Sequence, residues 1–362
     1  MRRISAQYAQ PGMVLSRDIY DNYGNVLIYQ GTRLTLDNIE VLGRLGGGEI
    51  FIRDKRIDDV PVSSLIPSRI EGELARHLRD YLEAVRGTIS NQSSSALQLS
   101  RLENALFSMV EQLFPVMMGE VNASGCYALK DYDFSHPVQV TQMALAMGRK
   151  LDYTEEQLRT LGLAAVLQNI GYIALPKGLM EEPTTLSTLE LHEVHQHVQY
   201  GYQILKEYST VRQDVIDIIY QHHEAWDGSG YPRNLKGENI CMDARIISIA
   251  DTYYALVSRR PHRPANKPNE AIEFIMAYSG ELFDSKLVSL FTKIIQTYPT
   301  GVMVNLNTGE SGLVVGAHHG MSSRPIVRVC FDKNQCELAK PFDLDLSEGA
   351  QQHRLITEVV EY

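Results

Sequence analysis

Apolar residues recur at a spacing of four along two internal stretches and fall in short runs near both ends of the chain. Ile70, Leu74, Leu78 and Leu82 line up on one face of a helix, and Leu102, Leu106, Met109, Val110, Leu113 and Met117 do the same for a second. The polar stretch Asn91-Gln92-Ser93-Ser94-Ser95 divides them. Packing within one chain accounts for both faces; a dimer contact or a signal-relaying stalk is the alternative.

Before these helices the pattern is that of strands. Met13–Tyr20 and Val26–Tyr29 flank the turn Asp21-Asn22-Tyr23-Gly24, and Glu49–Arg53 follows the break Gly46-Gly47-Gly48. After them, helix signals dominate. Thr154 with Gln157, and Ser187 with Glu190, have the spacing of capping boxes, and Pro268 suits a first helical turn. Strand patterns return in Val302–Leu306, Leu313–Val315 and Ile326–Phe331, the first two around Asn307-Thr308-Gly309-Glu310. The predicted order is a small β-rich module over 1–62, a helical connector over 63–120, an all-α domain over 121–298 and a β-rich module over 299–362. The fold class is therefore mainly α at the centre, flanked by β-rich N- and C-terminal modules.

Composition narrows the function. A net charge of -10 leaves no basic footprint for a DNA or RNA polymer, although a small nucleotide needs only a few local cations. The start, Met1-Arg2-Arg3-Ile4-Ser5, is not followed by an apolar signal-peptide core, and the most apolar run, Leu161–Leu175, is broken by Gln168 and Asn169. Cys126, Cys241, Cys330 and Cys336 form no CxxC pair. A cytoplasmic protein with reduced thiols and no membrane insertion is the expectation.

Chemistry concentrates in the histidines. Seven of the 11 lie between 136 and 262. His222 and His223 are adjacent and run into Glu224-Ala225-Trp226-Asp227-Gly228-Ser229-Gly230-Tyr231-Pro232. Neighbours on a helix point about 100° apart, so such a pair can reach different sides of one cavity. A bare His-His pair is usually two partly exposed side chains before a turn; the glycine-rich turn makes this one specific.

The segment His222–Pro232 resembles the signature of the HD-GYP family, a branch of the HD-domain phosphohydrolases that hydrolyses cyclic di-GMP. The resemblance extends over about 180 residues in the right order. His136 in Ser135-His136-Pro137-Val138 resembles the first metal histidine, and His197, followed by Gly201 and Ile204-Leu205, the middle one. Asp251 in Ile247-Ser248-Ile249-Ala250-Asp251 resembles the last aspartate, and Arg260-Pro261-His262-Arg263 a nucleotide-binding segment. The departures fall together. The defining His-Asp pair is expected in Leu167–Tyr172, where Gln168 and Asn169 stand instead, with Tyr172 in place of Lys; Tyr132 stands where some members carry a glutamate ligand.

The resemblance implies an HD-type helical domain and metal ligands His136, His197, His222, His223 and Asp251. It implies substrate contacts from Arg260 and Arg263, and a partner surface for GGDEF-type domains at Gly230, Tyr231 and Pro232. With Asn169 a poor bridge and Gln168 a weak ligand, the expectation is at most one divalent transition metal (iron, manganese, nickel or zinc) at His197, His222 and His223, helped by Asp251, or no metal at all. No residue is assigned a catalytic role with Gln168, Asn169 and Tyr172 in place. The expected function is a catalytically impaired signalling protein that binds cyclic di-GMP, a related cyclic dinucleotide or a partner. The alternatives are a phosphodiesterase with residual activity and a pure scaffold; a homodimer is a further expectation under each reading. His192 and His195 are expected on one helix with His197 and exposed, and His318-His319 in a loop; Trp226 is expected to anchor the Gly-Tyr-Pro loop by packing.

Overall fold

The computed structural model describes residues 1–21, 25–44, 48–60, 66–89, 96–113, 132–176, 178–179, 187–258, 265–318 and 320–360. The chain divides into two compact units, one containing Met1–Ser68 and Lys293–Tyr362, the other Arg69–Met118 and Asp131–Thr292.

In the first unit β1 (Arg2–Ser5) pairs antiparallel with β4 (Glu49–Ile52), β2 (Ile19–Tyr20) pairs with β3 (Val26–Ile28), and α1 (Leu36–Arg44) lies between β3 and β4 in sequence. Ile4, Leu15, Ile19, Ile28, Leu42 and Ile50 form their core. The C-terminal part is a five-stranded antiparallel sheet of β5 (Met303–Leu306), β6 (Ser311–Gly316), β7 (Ile326–Phe331), β8 (Glu337–Asp345) and β9 (Ile356–Val360), in the order β8-β7-β6-β5-β9. Alternation along the strands puts Val304, Val314, Val327 and Val329 in one cluster and Met303, Leu313, Cys330 and Val360 in another, where Ile57 joins them. Arg328 bridges Asp343 on β8 and Asp59, and Arg3 N–H donates to Gly301 C=O. The two β-rich modules, drawn separately from the sequence, thus share one unit.

The second unit is all helix: α2 (Ser68–Ile89), α3 (Ala96–Leu113), α4 (Tyr132–Lys150), α5 (Glu155–Leu167), α6 (Thr188–His195), α7 (His197–Tyr208), α8 (Gln213–Gln221), α9 (Met242–Val257), α10 (Pro268–Ala277) and α11 (Ser285–Ile294), the last running to the unit's end. The predicted faces are the buried ones: Ile70, Leu74 and Leu78 on α2, and Leu102, Leu106, Met109, Val110 and Leu113 on α3. Those faces pack inside the unit: Gly162 on α5 lies against Leu106, the Tyr81 hydroxyl bonds Ser209, and Gln142 donates to buried Glu71. Both capping boxes are present, and Pro268 opens α10. Met117 and the Asn91–Ser95 divider lie outside the described residues. Among the described residues no helix is long and apolar enough to cross a membrane.

Candidate metal centre

The packing of α4 against α5 and α9 brings three buried polar side chains together. His136, in the second turn of α4, places Nε2 2.7 Å from Asp251 Oδ1, in the middle of α9. Gln168, which caps α5, donates its Nε2 to the same oxygen at 3.1 Å. Burial would raise the Asp251 carboxyl; the hydrogen bond from His136 and the neighbouring histidines hold it well below the usual carboxylate range instead. The carboxylate is therefore already engaged on the side facing α4 and α5. The buried Oε1 of Gln168 and Oδ1 of Asn169 have no hydrogen-bond partner among the described residues.

A second group forms where α7 begins and α8 ends. His197 is the first residue of α7, His222 caps α8, and His223 follows it. Ligand atoms of the three lie within 4.8 Å of one another. The ring nitrogens are sorted by their partners. His197 Nδ1 meets Val194 C=O at 2.7 Å, and His222 Nδ1 meets Ile219 C=O at 2.6 Å. A carbonyl only accepts, so each Nδ1 carries the proton and each Nε2 keeps its lone pair. Both Nε2 atoms are buried without a partner among the described residues. Burial lowers the His197 imidazole to about 3, with His222 adding to it, and lowers His222 and His223 as well. All three rings are thus neutral near pH 7. Neutral, convergent imidazoles, two of them with backbone-fixed tautomers, suit one divalent transition metal ion.

Glycines set this geometry. A Cβ on Gly171, in the 3-10 turn Ile170–Ala174, would lie 1.8 Å from His197 C=O, so the turn and α7 touch backbone to backbone. A Cβ on Gly230 would meet Ala225 N at 2.2 Å. The loop after His223 is held by Glu224, which is buried and accepts from the N–H groups of Arg233 (2.7 Å) and Leu235 (2.8 Å). Tyr231 N–H donates to His223 C=O, and Asn234 Nδ2 to Gly230 C=O. Trp226 anchors the loop through its backbone, bonded to Leu282 and Gly237, while Arg245 lies over its ring.

Other residues singled out from sequence fall in varied places. Tyr172 packs its ring 4.5 Å from His197. Gly230 is buried, and Tyr231 and Pro232 are half-buried. Arg260 and Arg263 lie outside the described residues, as do the side chain of Tyr132 and all of His319. α9 ends at Val257, and Ser258 is extended. His318 sits in a loop and pairs with Asp345. His192 and His195 belong to α6, not α7, because the chain breaks between the two helices at Gln196. His192 is exposed; His195 is not, and stacks on Tyr231 at 4.1 Å. Neither that stack nor the anchoring by Glu224 was inferred from the sequence, although Glu224 directly follows the histidine pair. A cavity of about 50 Å³ between α2, α4 and the 3-10 turn has Asn169, Tyr172, Leu82 and Arg86 in its wall.

Known proteins resemble this chain in sequence. Residues 105–287 match the HD domain family, and residues 303–361 match a KOW domain associated with HD domain. The chain is 31% identical over 226 residues to the cyclic di-GMP phosphodiesterase PA4108 of Pseudomonas aeruginosa, covering 62% of this chain and 54% of that protein. It is 34% identical over 151 residues to the cyclic di-GMP phosphodiesterase response regulator RpfG of Xanthomonas campestris pv. campestris, covering 41% of this chain and 40% of that one. It is 36% identical over 128 residues to the 3'3'-cGAMP-specific phosphodiesterase 2 of Vibrio cholerae, covering 35% and 24%. The chain thus spans about half or less of the length of the curated relatives it matches. With the HD domain match extending over half of the sequence, and the His222–Pro232 motif inside it, the chain belongs to the HD domain family, in its HD-GYP branch.

Proposed function

We propose that this chain is a signalling member of the HD-GYP branch that binds a cyclic dinucleotide of the cyclic di-GMP class and hydrolyses it slowly or not at all. One observation carries the reading: His136 and Gln168 both occupy Asp251 Oδ1. By the family pattern His136, Asp251 and the residues at 168 and 169 would hold the first of two metals. Here Gln168 turns its N–H toward the carboxylate, and Asn169 offers one neutral oxygen where a bridging anion is expected. Two divalent ions about 4 Å apart need more negative charge than one carboxylate already shared by two donors.

The second position is different in kind. His197, His222 and His223 would hold one divalent transition metal, which would supply Lewis-acid polarisation to a phosphoryl oxygen when bound. The chain's own residues orient that site through Val194 and Ile219 and keep its imidazoles neutral. This favours, as a second reading, residual phosphodiesterase activity through a single ion. The Gly230-Tyr231-Pro232 loop, half-buried and tied down by Glu224, is the surface we assign to a GGDEF-type partner.

Protein purified without chelator, analysed for metal and assayed for cyclic di-GMP hydrolysis side by side, tests the proposal. The expected result is no more than one ion per chain and no turnover above background. Two ions with robust turnover that is lost in His222→Ala would overturn it.

A further inference from the structure

Two of the three clustered histidines are fixed by hydrogen bonds, and the third is not. His197 and His222 each anchor Nδ1 on the carbonyl three residues earlier. His223 makes no hydrogen bond through its ring among the described residues; neighbouring rings hold it instead. Tyr231 stacks on it at 4.9 Å with 26° between planes, His222 is tilted at 4.1 Å, and His197 meets it edge-on at 5.1 Å. Of these neighbours only Tyr231 lies outside the cluster. Tyr231 is in turn stacked by His195, at 4.1 Å and 16°. His195 is the last residue of α6, and its ring has no hydrogen bond of its own among the described residues.

The series His195, Tyr231, His223 therefore links the end of α6 to the one histidine that lacks a backbone anchor. Ligating histidines are usually oriented by a hydrogen bond from the other ring nitrogen, and removing that support typically costs 10–100-fold in metal affinity. Offset or parallel ring contacts at these distances are directional enough to serve the same end. We propose that His195 is a positioning residue: stacked on Tyr231, it fixes the ring on which His223 packs and so aims the His223 ligand atom. The proposal rests on the reading of His197, His222 and His223 as a metal centre only in its last clause. What His195 contributes is a flat aromatic face, so phenylalanine should replace it and alanine should not.

The test has a metal-free arm and a cobalt arm, both on the full chain. With histidine labelled with 13C at Cε1, the His223 resonance is identified by its absence in His223→Gln. It should be single and sharp in the wild type, broadened or doubled in His195→Ala, and single again in His195→Phe. His195→Gln, also non-aromatic, replaces the alanine variant should that one not fold. Cobalt(II) titration followed by visible absorption should show one tight equivalent in the wild type. His195→Ala should bind about tenfold more weakly with altered band intensities, and His195→Phe should restore both. A wild type that takes up no cobalt ends the metal reading, while the resonance still decides the role of His195. An unchanged His223 resonance in the non-aromatic variants, or no restoration by phenylalanine, overturns the positioning role.

Discussion

Gln168 donates its side-chain N–H to Asp251 Oδ1 at 3.1 Å, tying the end of α5 to the middle of α9 inside the helical unit. An imidazole at 168 would direct a lone pair into the site; the carboxamide directs a proton at the carboxylate instead. Together with His136 it makes a buried three-residue contact that needs no ion to be complete on the Asp251 side. Removing the acceptor should therefore be costly. Asp251→Ala leaves a buried imidazole and a buried carboxamide without their partner, and should lower stability by about 3–5 kcal/mol in urea unfolding of metal-free protein. A loss below about 1 kcal/mol would mean that the triad contributes nothing to the core.

The reverse change tests the metal stoichiometry. Gln168→His with Asn169→Asp restores an imidazole and a second anionic side chain beside Asp251. Metal analysis should move from at most one ion per chain toward two, with hydrolysis of cyclic di-GMP rising alongside. Tyr172 remains in place and packs on His197, so turnover is expected to return only in part. No added metal in the folded double variant would place the obstacle elsewhere than at these two residues.

What the sequence disclosed follows from what is local. The faces of α2 and α3, both capping boxes and the start of α10 are patterns within a few residues, and they are where the pattern puts them. The elements that were missed depend on distant partners. β1 (Arg2–Ser5) carries two arginines and becomes a strand by pairing with β4, whose Ile52 faces Arg2. β8 is an edge strand, mostly exposed and containing Pro341, so it lacks the alternation of a half-buried strand. In the candidate site the histidines and Asp251 could be read from their motifs. That Asp251 is occupied by Gln168, and that His195 turns inward onto Tyr231, depends on how α4, α5, α6 and α9 pack, which no motif encodes.

The contact between Gly171 and His197 makes a sharper prediction about α7. A Cβ at 171 would lie 1.8 Å from His197 C=O and 2.7 Å from Gly201 N, both backbone atoms that no rotamer change can clear. Gly171→Ala must push α7 off the 3-10 turn, and His197 with it. The expected cost is about 3 kcal/mol or more, typical of overpacking at a rigid contact, and cobalt binding should be lost in whatever fraction stays folded. Wild-type stability in this variant would show that the turn and α7 can part without consequence.

The neutral histidines predict acid sensitivity. Folding lowers the imidazoles of His197, His222 and His223, the first to about 3, by burial. In the unfolded chain each titrates near 6.5, so below about 6.5 the unfolded state binds more protons and stability falls as pH falls. The slope approaches 1.4 kcal/mol per pH unit for each group. Asp251 has a depressed folded value, so its contribution is present above about 3.9 and is lost only as pH falls through that lower folded value. Between pH 6 and 4.5 the histidines should therefore dominate. Urea midpoints measured with chelator should drop over that range, and more shallowly in His197→Gln. A flat profile would mean that the rings are protonated in the folded protein.

Binding should outlast catalysis. Affinity for a cyclic dinucleotide comes largely from guanidinium contacts to its phosphates, which are charge-assisted, often bidentate, and independent of an activated water. Arg260 and Arg263 follow the end of α9, the helix that also carries Asp251. Each hydrogen bond to a charged group is worth about 1.5–3 kcal/mol. Calorimetry with cyclic di-GMP should therefore show binding by the wild type even where no hydrolysis is measurable. The double change Arg260→Ala, Arg263→Ala should weaken it by about 3 kcal/mol or more, roughly a hundredfold. The same variant should keep the wild-type cobalt affinity and urea midpoint, which separates loss of ligand contacts from loss of the fold. Added manganese should tighten wild-type binding, since an ion at His197, His222 and His223 would share the phosphate charge. Absence of binding by the wild type, with and without manganese, would remove the nucleotide-receptor reading and leave a scaffold that acts through its partners alone.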